Sequence, residues 1–159
     1  MNTLSETLAI LKANRQQHQA MKAHLTPADW QKPISPEGWS GKDYLAHIAH
    51  WDGLALQCIH ARLAEAPAPV FPFIASDEQN ERWRIEDSSK PLDTVHAWLG
   101  GTFDTYQRVL TEHDEEALQQ QLGMPWNASA QHTIIWLIEH MAEHEKEHLS
   151  YIESFFPAE

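Results

Sequence analysis

The sequence predicts an all-α protein built as a four-helix bundle, on three observations. Four long stretches carry apolar residues at alternating spacings of three and four, segments rich in proline, glycine or charge separate them, and no stretch shows the two-residue alternation of a strand. At 159 residues the chain fits one domain, spanning 1–159, large enough to bury a core unaided.

The first helix is expected over residues 3 to about 25. Thr3 and Glu6 have capping-box spacing, and Leu4, Leu8, Leu11, His18, Met21 and Leu25 share a stripe. Pro27, Pro33 and Pro36 are expected to exclude helix from the stretch that follows. The second helix is expected to open at Ser40, with Asp43 as the returning carboxylate of another capping box, and to stop before Pro67 and Pro69. Its stripe is Tyr44, His47, Trp51, Leu54 and Cys58.

Residues 66–90 form a long connection with a short helix inside it, starting after Ser76 with Gln79 in the capping position. The third helix is expected from Pro91, in its first turn, to about Glu112, burying Leu92, Val95, Leu99, Tyr106 and Val109. Gly100 and Gly101 weaken its middle by about 1 kcal/mol each, which points to a kink or a close backbone contact. The fourth helix is expected over about 129–155.

Eleven Lys and Arg against 23 Asp and Glu give a net charge of −12. That field repels phosphates and anionic lipid, so nucleic acid and membrane are not expected partners. No apolar run reaches the roughly 20 residues of a membrane span, and the N-terminus lacks a secretion signal. The single Cys58 cannot form an internal disulfide, which agrees with a reducing cytoplasmic setting. The sequon at Asn127 is then expected to stay unmodified.

Eleven histidines and seven tryptophans are the anomalies. His140, His144 and His148 follow one another at steps of four, so neighbouring rings lie one helical turn apart. Leu137, Met141, His144, His148, Tyr151 and Phe155 make a seam expected to face the core, with His144 and His148 in its middle and His140 off it. On the second helix His47 holds the equivalent place between Tyr44 and Trp51, while His50 lies off the stripe. Three imidazoles on facing seams are costly unless hydrogen-bonded or liganded. His47, His144 and His148 are therefore the expected ligands of a divalent metal ion, and three protein ligands leave open positions for water or substrate. His18, His24, His60, His96, His113 and His132 read as surface or helix-end residues. Glu143, Glu145, Lys146 and Glu147 read as a solvated face, and Cys58 as packing. Trp51 and Trp98 are expected in the core, while Trp30, Trp39, Trp83 and Trp126 cap the bundle ends or line a pocket mouth.

The segments GWSGKDYLAHIAHWD (38–52), NERWRIEDSSKPLDTV (80–95) and LIEHMAEHEKEHLSYI (137–152) resemble the DinB-like (DinB/YfiT-like) superfamily. The resemblance implies an up-down-down-up bundle binding zinc, nickel or a similar ion through three histidines. One follows a helix-opening Trp by eight residues, as His47 follows Trp39, and two form an H-x-x-x-H near the end of the last helix, as His144 and His148 do. It also implies, for some members, transfer of a low-molecular-weight thiol such as mycothiol, bacillithiol or glutathione to an electrophile. The related ClbS/DfsB-like branch is similar in its WS-x-KD-x-x-AHI segment and protects against a reactive metabolite, with the metal histidines incomplete in parts of it. All three histidines are present here.

The expected function is therefore a divalent-metal-dependent enzyme activating a small thiol, or water, for attack on a small-molecule substrate. Tyr151 is a candidate donor to the substrate, and Tyr44 and Trp51 are candidate pocket walls. The alternatives are a sequestering protein of ClbS/DfsB type, or a structural bundle, homodimeric or not, stabilised by its metal.

The ligand set also dictates the winding. His47 sits near the start of the second helix and His144 and His148 in the later part of the fourth, so one ion reaches all three when those helices are antiparallel. Up-down-down-up meets that condition and requires a crossover as long as the bundle between helices two and three, which residues 66–90 supply.

Overall fold

The computed structural model describes residues 3–72 and 76–157. In chain order its elements are α1 (Leu4–His24), α2 (Pro27–Gln31), α3 (Gly41–Leu63), α4 (Ser76–Asp87), α5 (Leu92–Glu112), α6 (Glu115–Leu118), β1 (Gln121–Met124), β2 (Asn127–Thr133) and α7 (Ile134–Ser154). The long helices α1, α3, α5 and α7 form the bundle.

Cross-helix pairs establish the winding. α1 runs with α7: Asn14 Nδ2 donates to the Ala142 carbonyl at 2.8 Å, and Gln17 Nε2 to Glu153 Oε2 at 2.7 Å. α3 runs with α5: Lys42 Nζ donates to the Ser88 carbonyl just ahead of α5, and further along the Thr102 hydroxyl donates to Asp52. α1 opposes α5, because Arg15 pairs with Asp104 while His18 meets His96. The order is up-down-down-up, as expected. Parallel α3 and α5 are joined by the long connection that contains α4, which packs against α3.

Local signals explain most boundaries. The capping boxes at Thr3–Glu6 and Ser40–Asp43 both form, each satisfying amide protons the first helical turn cannot. Leu45, Ile48, Leu99, Tyr106, Leu137 and Ile138 are among the most buried side chains of one apolar cluster. Gly41 lets α3 start flush against its neighbours: a Cβ there would lie 2.9 Å from the Trp30 ring and 3.4 Å from Ile152.

Five local expectations are corrected. The stretch after α1 is not helix-free: Pro27 occupies the start of α2, where its missing N–H costs nothing, and Thr26 and Asp29 build a third capping box. Pro91 caps α5 from outside rather than sitting in its first turn. Gly100 and Gly101 cause neither kink nor close approach; α5 runs through them, and added Cβ atoms would meet nothing within 4 Å. The last helix starts at Ile134, not near 129, with Thr133 as its N-cap. Residues 121–133 instead form an antiparallel hairpin in which Leu122 and Met124 are buried and most of β2 is exposed. Two inward apolar residues are too few to register as a strand pattern.

One polar network joins all four long helices. Asn14 (α1) donates to Glu145 (α7) at 3.0 Å, and Asp52 (α3) accepts from Thr102 and Tyr106 (α5) at 2.8 and 3.2 Å. Asp52 and Glu145 are fully buried, so the expected solvated position of Glu145 is a further correction. Burial raises both carboxyls, Asp52 to about 6 and Glu145 well above the usual range, and each also feels the other. A side chain four residues from Met141 and four from Leu149 faces the core whatever its polarity. His18 and His96, expected at the surface, are likewise buried, with ring nitrogens 2.9 Å apart.

Candidate metal centre

Three histidines from two antiparallel helices converge. Ser40 fixes the start of α3, and His47 projects from its second turn towards α7, where His144 and His148 stand one turn apart. His144 Nε2 lies 3.2 Å from His47 Nε2 and 3.0 Å from His148 Nε2. One nitrogen of each ring lies within 4.8 Å of the others. For metal–nitrogen bonds of about 2.0–2.1 Å, neighbouring donors sit about 3.0 Å apart at octahedral and about 3.4 Å at tetrahedral angles. The two separations from His144 fall in that window.

Electrostatics keep the rings neutral. Burial, then repulsion from the other two histidines, pushes His47 down to about 2, while the Asn80 side chain works the other way. Burial and His148 push His144 down to about 3, and burial lowers His148. Neutral imidazoles keep a lone pair to donate. They cannot satisfy one another, because a single Nε2 offers either one proton or one lone pair and His144 Nε2 faces two neighbours. A divalent ion accepting all three lone pairs resolves that conflict and leaves each proton on Nδ1. The donor set therefore fits such an ion. Nδ1 of His47 and of His144 are buried and, among the described residues, have no partner at hydrogen-bond distance.

The histidines do not replace apolar residues in the middle of a buried stripe, as expected. The buried residues of α7 are Ile134, Ile135, Leu137, Ile138, Met141, Ala142, Glu145, Leu149 and Ile152, and His144 and His148 flank the buried face half-buried. Facing the core directly would seal them; the flank leaves them open to a cleft.

Three clefts meet the trio, one of them running along the exposed side of α7 past Glu143, His144, Lys146 and Glu147. A wider one, of about 500 Å³, is lined by Trp39, Tyr44, His47, Asn80 and His148, with Glu37, Asp77 and Glu81 at its rim. A narrower one is lined by Trp51, Trp126, Met141 and His144. The two expected wall residues, Tyr44 and Trp51, thus belong to different clefts. Tyr151 does not present a free proton, since its hydroxyl donates to the Ile34 carbonyl at 3.3 Å. Its ring packs edge-on to Tyr44, which lies against His148. His140 lies off the trio, against Trp126 and Trp136.

Sequence reasoning missed the role of α4. Trp51 Nε1–H donates to Asn80, Trp39 Nε1–H to Glu81, and His50 sits 2.6 Å from Asp87 while stacking on Trp83. These contacts fasten α4 across α3 beside His47. The run N-E-R-W with polar residues at every turn was the available signal. Cys58 is buried as expected, and desolvation pushes its thiol up to about 11. It is no nucleophile at neutral pH.

Among the described residues no helix is long and apolar enough to cross a membrane. The family model of the DinB superfamily matches residues 5–152. YfiT from Bacillus subtilis, described as a probable metal-dependent hydrolase with an unusual four-helix bundle topology, has a similar structure. Its TM-score is 0.77 at 14% identity, covering 95% of this chain and 84% of that one. The mycothiol-dependent maleylpyruvate isomerase gives 0.75 at 13% identity, covering 95% of this chain but 61% of its own. This chain therefore spans less than two thirds of that protein. An uncharacterized protein from Clostridium difficile 630 gives 0.76 at 13% identity, covering 98% and 96%. No curated protein matches by sequence.

Proposed function

The chain belongs to the DinB superfamily, and from that premise we propose that it is a divalent-metal-dependent enzyme that activates a small thiol, or water, for attack on an electrophilic small molecule. The observation that carries this reading is the convergence of three neutral imidazole nitrogens, from His47, His144 and His148, where three clefts meet. A bound ion would supply a Lewis acid that lowers the pKa of a thiol or water at neutral pH.

The protein's own residues would do the rest. His47, His144 and His148 present lone pairs from a frame held by Ser40 at one end and the core face of α7 at the other. Three ligands leave positions open, and the two aromatic-lined clefts give two directions of approach, one for nucleophile and one for electrophile. The raised pKa of Cys58 supports an external nucleophile. Solved structures of the same fold, described as a metal-dependent hydrolase and as a thiol-dependent isomerase, support both nucleophiles for this site.

The test is metal content followed by chemistry. Untagged protein is expected to hold about one zinc, nickel or similar ion per chain after reconstitution. It is then expected to consume glutathione, bacillithiol or mycothiol, or to hydrolyse an activated ester, with loss of activity on chelation. No stoichiometric metal overturns the reading. Stoichiometric metal with silence across all of these substrates moves the protein to a sequestering role of ClbS/DfsB type.

A further inference from the structure

The narrower cleft has features that the metal reading alone does not require. It is a cavity of about 180 Å³ with Trp51, Trp126, His140, Met141 and His144 on its walls and Ser76 at its edge. None of these carries a carboxylate, ammonium or guanidinium group. Trp51 and Trp126 face each other edge to face, with centroids 6.4 Å apart at 66°, and Trp126 lies 5.1 Å from His140 at 44°. Met141 is 2% exposed and forms a soft apolar wall.

Trp126 is the informative member. It sits in the turn between β1 and β2, one of few large apolar side chains left 37% exposed. The hairpin that carries it adds little to the bundle core, with Leu122 and Met124 as its buried side chains. Its position has a physical cause: Gly123 passes so close to Ala128 that a Cβ would lie 2.7 Å from that carbonyl oxygen, and this tight crossing brings the turn back over α7. A hairpin that presents an indole beside a metal-ligand candidate makes a wall, and the wall defines a ligand.

We propose that this cavity is a subsite for an uncharged molecule bearing a single aromatic ring, with Trp126 as its specificity-determining wall. The inference rests on the metal reading only for its consequence, that a polar substituent on the ring points past His144 to the ion. The size argument is independent of it: a closed cavity of about 150 Å³ lined by apolar side chains holds one benzene ring, and this cleft, open on one side, has room for one ring. The wall geometry offers ring faces and edges at steep angles, the arrangement in which a third ring finds offset or edge-to-face contacts. The described wall residues carry no charge, which selects against ionised ligands there.

Benzyl alcohol is the probe, with n-butanol as the acyclic comparison. Chelator-treated protein is titrated with each, following the indole Nε1–H resonances of Trp51 and Trp126 by NMR. Zinc is titrated separately. Saturable shifts of both resonances by benzyl alcohol but not n-butanol are expected, weakened at least about tenfold in Trp126→Ala and largely kept in Trp126→Phe. Because the indole is partly exposed, neither variant threatens folding, and both are expected to bind zinc as the parent does. Unsaturable shifts, equal binding of n-butanol, or indifference to Trp126→Ala overturns the subsite. Loss of zinc binding with ring binding intact would instead defeat the metal reading and leave the subsite standing.

Discussion

Replacing Asp52 with Asn is expected to stabilise the protein at pH 8 and to destabilise it by about 1 kcal/mol below about pH 4. Asp52 is fully buried, and desolvation lifts its carboxyl from 3.8 to about 6. In the unfolded chain it ionises at its ordinary value, so between those limits the native state binds more protons and stability falls as pH rises. Above pH 6 the penalty is complete: about 2 units at about 1.4 kcal/mol each, or about 3 kcal/mol. Asn has the same shape. Its Oδ1 keeps the Thr102 hydroxyl at the 2.8 Å site, while its Nδ2–H turns towards Glu145. The Tyr106 hydroxyl, 3.2 Å from the carboxylate, must then accept rather than donate, a rearrangement worth about 1 kcal/mol. The net expectation is about 1–2 kcal/mol of stabilisation at pH 8, falling through pH 6 and turning into a loss of about 1 kcal/mol at pH 4. Urea unfolding followed by circular dichroism, on chelator-treated protein at pH 4, 6 and 8, measures it. If Asp52→Asn lowers stability at pH 8, the charge at Asp52 is favourable and the burial argument is wrong.

The trio predicts an asymmetry between two histidines on one helix. His148→Ala removes a converging nitrogen and is expected to weaken zinc binding at least about a hundredfold, whereas His140→Ala changes it less than about threefold. Isothermal titration of each variant reads this directly, and equal losses would place the ion on another face. Gly123→Ala forces a methyl against the Ala128 carbonyl and is expected to cost about 1–3 kcal/mol of hairpin stability, visible as faster amide exchange in β1 and β2. The same variant is expected to weaken benzyl alcohol binding while zinc affinity holds. Unchanged exchange would mean the crossing is looser than 2.7 Å implies.

The bundle was legible because its signals are local and repeated. Two capping boxes and four stripes each point to a helix within a few residues, and the ligand spacing plus one long connection pointed to the winding. The trio was legible for the same reason: His144 and His148 share a face by arithmetic, and His47 occupies the matching place beside Trp39. What escaped depends on neighbours distant in sequence. Glu145 looks like its acidic neighbours until Asn14 and Asp52 arrive from other helices, and His18 looks exposed until His96 covers it. Pro27 reads as a helix breaker unless it is placed at a first position, where it breaks nothing. The hairpin has almost no apolar pattern because its task lies at its turn, and Tyr151 stands on the expected seam with its hydroxyl claimed by a carbonyl 117 residues away.

The separation of the candidate ligands in sequence constrains when a metal site could form. His47 and His144 are 97 positions apart, and they meet only when α7 lies down antiparallel to α3. A chain emerging from the ribosome can form α3 and α5 side by side and still own a single ligand. Metal acquisition at this trio would thus be a late event, following synthesis of α7 and its docking. A truncated or stalled chain has no two-helix chelate with which to compete for an ion, so metal loading at this trio would report that the last helix has arrived.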